Sequence, residues 1–244
     1  MSMEIGTDAH PRHWHDHLDA ASGNRLNALR AAVLGANDGI VSTAGIVMGV
    51  AGATSDRSAL LIAGTAGLVA GAMSMGTGEY VSVSTQRDSE KSILRLEARE
   101  LESMPETEER ELARMYQDKG LDADLASQVA RQLTAHDALG AHADIEFGID
   151  PHDLTNPWHA AWASMIAFTL GAMLPLLCVL LVPASARIVV TVAAVAIALA
   201  LTGFVSAKLS LSPRVRAMLR NIVGGLLSMG VTYLIGSLVG LGIS

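Results

Sequence analysis

The chain has 244 residues, a formal net charge of −7 and a hydrophobic half. Its charge is uneven: 17 of 24 acidic residues fall between Asp88 and Asp153, and none lies from Leu154 to Ser244. So long a carboxylate-free stretch argues against an ordinary soluble domain; the composition also argues against a disordered chain or a nucleic-acid binder, and the lone Cys178 against a disulfide scaffold.

Residues 1–30 read as a polar tail with no apolar signal-peptide core. His10, His13, His15 and His17 cluster there, either as a flexible metal-binding tract or as compositional bias. Residues 31–83 predict two membrane spans, Ala31–Ala53 and Ala59–Val81, each meeting the roughly 20 apolar residues that a bilayer core requires. Each holds one acid, Asp38 and Glu79. A carboxylate at the centre of a span costs at least about 2.5–3.5 kcal/mol and marks a pathway by default, with snorkelling to the interface as the alternative, stronger for Glu79. Gly67, Gly71, Met75 and Glu79 recur every four residues, and Gly35, Gly39, Ser42, Gly45 and Gly49 form a similar stripe. Such stripes let helices approach closely; here they also set a thioether and a carboxylate beside the seam.

Residues 84–155 predict an acidic helical domain. The second span has no helix breaker until Pro105, so its helix is expected to run on to about Met104. A helix from Glu106 to Lys119 follows, closed by Gly120. Asp122 then caps a helix from Ala123 to about Ala138, with Leu125, Val129 and Leu133 on one face. This is thin for an independent core, so packing on a second copy is expected. Glu97 with Glu100, and Glu108 with Glu111, are spaced i, i+3, which places each pair on one helix face. Two such faces brought together supply four hard oxygens, and His142 and Glu146 add an imidazole and a carboxylate. Solvated acidic helix faces are the plainer alternative.

Residues 156–244 predict three further spans, Trp158–Val182, Ala186–Ala207 and Met218–Leu241. Asn156 and Pro157 form a helix start, and Trp158 and Trp162 sit where interfacial aromatics belong. Five spans with the N-terminus inside leave only Arg57 and Arg187 outside and 15 of 17 basic residues inside, so the tail and the acidic domain are expected in the cytoplasm. The fold class is therefore an all-α integral membrane protein with five transmembrane helices and a cytoplasmic helical insert, a candidate metal-binding domain, between the second and third. No GxSxG, Walker-type loop, HExxH or CxxC occurs, so no hydrolytic or nucleotide-driven enzyme is expected.

Asn37-Asp38-Gly39-Ile40, then Gly71-Ala72-Met73-Ser74-Met75-Gly76 with Tyr80, then an acidic helical insert before three more spans, resembles the vacuolar iron transporter family from about Arg30 onward. The resemblance implies a homodimer with five transmembrane helices per subunit. It also implies movement of Fe²⁺, and often Mn²⁺, out of the cytosol in exchange for H⁺, with no permanent cofactor. By position, Asp38 and Met75 resemble the pathway carboxylate and thioether. Glu97, Glu100, Glu108 and Glu111 match the family's 3-8-3 glutamate spacing, and Glu146 resembles a later ligand glutamate. Two departures stand out: His142 and Ala143 occupy the places of a methionine pair in plant members, and Gly67 that of a second-span glutamate, for which Glu79 is a candidate substitute. The alternatives are a membrane-anchored ferroxidase, a passive divalent-cation channel, or an insert that serves only to oligomerise. The expected partners are the lipid bilayer, divalent ions and a second copy of the chain, and the expected location is a prokaryotic plasma membrane.

Overall fold

A computed structural model describes residues 23–243. The histidine cluster of the tail lies outside the described residues. Among the described residues seven α-helices follow in order: α1 Gly23–Ala53, α2 Arg57–Ser103, α3 Pro105–Asp118, α4 Ala123–His142, α5 Pro157–Leu181, α6 Ala184–Leu209 and α7 Arg214–Ile243. A π-helical turn, Ala143–Phe147, follows α4. Five of the helices, α1, α2, α5, α6 and α7, are long and apolar enough to cross a membrane. The first begins eight residues before the predicted span, because Asn24 to Arg30 continue the helix without a breaker.

The centre of the bundle is α1, which packs against α2, α5, α6 and α7. Its closest neighbour is α5, and sequence explains why. A Cβ on Gly35 or Gly39 would run into the α5 backbone at Ser164 or Phe168, and one on Gly171 into the α1 backbone at Ala36. Glycine lets the two backbones touch, as small residues do in membrane helix pairs. On another side of α1, Ile40, Ala44 and Met48 close a core with Val195, Leu199 and Met229. The outer faces stay apolar and exposed, as at Ile62, Val189 and Leu227. For a chain of this hydropathy such faces suit lipid or another subunit.

Antiparallel packing of α1 on α2 sets a register. Ile46 lies over Gly67 and Val47 over Gly64. Two turns back along α1 and two turns on along α2, about 12 Å in each case, Asp38 and Met75 come to the same depth.

The second half of α2 runs roughly 30 Å beyond the predicted span. Met104 ends α2 and starts α3: its N–H bonds to Glu100, and its carbonyl accepts from Thr107 and Glu108. Pro105 forces this reversal, since it fits a first helical position and cannot continue the preceding helix. Gly120 leaves α3 with φ 104°, and Asp122 caps α4 by accepting from the N–H groups of Asp124 and Leu125. Leu112 and Ala113 of α3 pack on Ala130 of α4, with Tyr116, Leu133 and Ile145 around them.

Candidate metal centre

Each of the six insert residues picked out from the sequence stands on an α-helix or on the π-helical turn. Glu97 and Glu100 lie on the last turns of α2, and Glu108 and Glu111 on the first turns of α3. The Pro105 reversal folds these two helix ends together, so the spacing of the pairs becomes a facing of carboxylates. His142 ends α4, and Glu146 sits on the π-helical turn.

How His142 reaches the cluster is a local matter. Asp137 adopts an extended conformation (φ −157°, ψ 91°) inside α4, close to the predicted end near Ala138. Its Oδ1 accepts from the N–H of Gly140, restarting the helix as a cap does. The last turn of α4 is thereby redirected, and His142 becomes fully buried. Gly148, at φ 64°, then closes the π-helical turn, its N–H bonding to Asp144.

Glu97, Glu108 and His142 are all buried, and one ligand atom from each lies within 4.8 Å of the other two. Nδ1 of His142 is 3.0 Å from Oε1 of Glu97, yet the pair is out of line for a hydrogen bond. Both ring nitrogens of His142 and Oε1 of Glu97 are buried with no hydrogen-bond partner among the described residues. Leaving such groups unsatisfied costs about 1–3 kcal/mol each, and more when charged. A cation held by Oε1 of Glu97 and one ring nitrogen of His142 would remove the cost of those two groups.

The electrostatics point the same way. Burial first, then Glu108, Glu100 and Glu111, push the Glu97 carboxyl above the ordinary carboxylate range. Glu108 is raised by burial and by Glu111, with His142 opposing. Glu146 is raised by loss of hydration and then by Glu97 and Glu111. Glu146 and Glu111 are exposed and Glu100 is half-buried, so these three form the open side of the cluster around the buried trio. Six groups thus share one field. Two or more carboxylates with one imidazole suit a first-row divalent ion better than Ca²⁺ or Mg²⁺, which take oxygen alone.

The other predicted residues stand apart from this cluster. Asp38 is half-buried on α1, with the Ser42 hydroxyl donating to its Oδ1 at 2.6 Å. Met75 packs beside Phe168 and Ala172, and Glu79 is half-buried one turn further along α2.

One connection was not foreseen. Glu90 of α2 accepts from both the backbone N–H and the hydroxyl of Thr155, at 3.2 and 3.1 Å, while Gln86 donates to its other oxygen. This ties the segment entering α5 to the α2 stalk. Nothing in the spacing of Glu90 distinguishes it from its acidic neighbours; the signal is tertiary.

Comparison with known proteins adds to this geometry. A sequence model of the VIT family matches residues 29–237. The chain is 41% identical over 211 residues to a "Vacuolar iron transporter" of Acanthamoeba castellanii, covering 86% of this chain and 78% of that protein. It is 34% identical over 226 residues to "VIT-like transporter 1b" of Glycine max, covering 92% and 82%. It is 37% identical over 217 residues to "Vacuolar iron transporter homolog 3" of Arabidopsis thaliana, covering 88% and 85%.

Proposed function

The chain belongs to the VIT family, and on that premise we propose that it is a homodimeric transporter moving Fe²⁺ and/or Mn²⁺ out of the cytoplasm in exchange for protons. The observation that carries the metal reading is the buried trio Glu97, Glu108 and His142, whose ligand atoms converge, with Oε1 of Glu97 and both His142 nitrogens lacking a hydrogen-bond partner among the described residues. In this reading Glu100, Glu111 and Glu146 complete the cluster, which collects ions before they enter the bundle. Orientation rests on the basic residues: 15 of 17 fall on the side of the acidic domain.

Asp38 and Met75, level with one another on α1 and α2, take the ion within the membrane. Two donors are too few to replace the hydration of a divalent ion, which supports a pathway completed by a second subunit. Glu79, on the same stripe as Met75, stands in for the acid absent at Gly67. Protons and the metal compete for the carboxylate oxygens of Asp38, the minimum requirement for exchange.

The test uses the full chain in liposomes, with a metal dye and a pH dye read together under anaerobic conditions. Fe²⁺ or Mn²⁺ entry with opposite proton movement, abolished by Asp38→Ala, is the expected result. Metal entry without proton movement would make the protein a channel; binding and oxygen consumption without entry would make it a ferroxidase.

A further inference from the structure

At the end of the bundle where α1 begins and the α6–α7 hairpin turns, a cavity of about 570 Å³ opens between these three helices. Its lining is divided. Leu29, Val33 and Leu209 give it an apolar part, and Arg30, Ser210 and Asn221 a polar one. Lys208, Arg214, Arg216 and Arg220 lie on the two helix ends that frame the hairpin, and all four are exposed, as is Arg30. Among the described residues none of these five cations forms an ion pair; Arg214 alone has a ring contact, 5.5 Å over Phe204.

No carboxylate from Leu154 to Ser244 is present to neutralise the hairpin. In sequence, the acid nearest the cavity lining is Asp38, one residue past the lining residue Asn37, and it already accepts the Ser42 hydroxyl. Cations at the ends of spans on one side of a membrane are a general pattern and by themselves imply no ligand. That pattern does not account for a concavity, of the size that ligand sites have, with an apolar floor and a cation on its rim. Lys208 and Arg214 flank the break between two candidate spans, which sets the rim at headgroup depth.

We propose that this cavity binds an anionic phospholipid. The phosphate meets Arg30 and the hairpin cations, Ser210 and Asn221 donate to its oxygens, and the first part of an acyl chain lies on Leu29, Val33 and Leu209. Guanidinium groups suit a phosphate diester because they donate in a planar fork. The net negative headgroup is what the five cations select; a zwitterionic lipid satisfies the floor and leaves their charge uncompensated.

The experiment measures thermal unfolding of the delipidated full chain in detergent, with phosphatidylglycerol, phosphatidylcholine or inorganic phosphate added. Phosphatidylglycerol alone is expected to raise the Tm, in a dose-dependent way. Arg30→Gln with Arg220→Gln removes that rise, while Arg57→Gln at the far end of the bundle keeps it. Equal stabilisation by phosphatidylcholine, reproduction by inorganic phosphate, or equal loss in Arg57→Gln would overturn the proposal. Should the double variant not fold, lipid extracted from the purified wild-type protein decides. Enrichment in anionic species over the bulk membrane supports the site, and a composition equal to the bulk contradicts it.

Discussion

Two carboxylate environments in this molecule are built on opposite plans. Asp38 is half-buried on a single helix, satisfied by one hydrogen bond from Ser42, one turn from a wide groove that Ser42, Gly45 and Gly49 share with α7. Glu97 and Glu108 are buried on two different helices, crowded by other acids, and face the His142 imidazole, which makes no hydrogen bond among the described residues. The first site is open and incomplete within one chain, whereas the second has its donor set already assembled. Under the proposed function, the contrast fits capture by the insert and passage through the bundle.

Substitutions in the two regions should therefore have separable effects. The largest belongs to Asp38→Asn, in which metal flux through liposomes falls to background while calorimetric Mn²⁺ binding by the full chain keeps its wild-type affinity. Loss of both would merge the two sites into one. Glu97→Gln or His142→Ala is expected to act the other way. Mn²⁺ binding weakens by at least about tenfold, or 1.4 kcal/mol, and flux survives at saturating metal. Glu97→Gln also removes a charge that the fold disfavours, so its metal-free Tm should rise above wild type, as functional sites commonly trade stability for activity.

The raised carboxyls of Glu97, Glu108 and Glu146 predict a pH dependence of stability. An acid whose pKa is raised by folding adds stability below its ordinary value, near 4.5, and loses that contribution as pH climbs through the raised value. The three groups thus favour the metal-free protein more in acid than at neutral pH, and Glu97→Gln should narrow that difference in thermal unfolding. Metal affinity runs opposite, weakening as pH falls, because protons then occupy the ligand oxygens. The smallest effect is expected from Asp137→Ala, which loses a cap worth about 1 kcal/mol. If the kink at Asp137 is what aims His142, this variant also weakens Mn²⁺ binding, although it touches no ligand.

The same contrast shows how far the sequence reaches. Spans, the Pro105 reversal and the Asp122 cap are local events, and each was legible from a breaker, a cap or a run of apolar residues. The glutamate pairs were legible too, because an i, i+3 spacing fixes a shared helix face before any tertiary contact forms. The packing face of α4 was less so. Leu125, Val129 and Leu133 share a stripe, but Ala126 and Ala130 are the buried residues and Leu125 is 46% exposed. Adjacent stripes differ by about 100°, and the close approach of α3 favours the small one. The burial of His142 was not legible, since it depends on Asp137 leaving the helical conformation and on the turn closed by Gly148. The Glu90–Thr155 tie joins residues 65 apart and leaves no local trace.

The central claim is that the insert holds the ion through Glu97, Glu108 and His142. Pulsed electron paramagnetic resonance on the full chain loaded with one equivalent of Mn²⁺ tests it most directly, because a nitrogen ligand produces a ¹⁴N coupling that carboxylates cannot. The account predicts that coupling in the wild-type protein, its loss in His142→Gln and its persistence in His136→Gln. A wild-type spectrum without nitrogen coupling, or one that His142→Gln leaves unchanged, would contradict it.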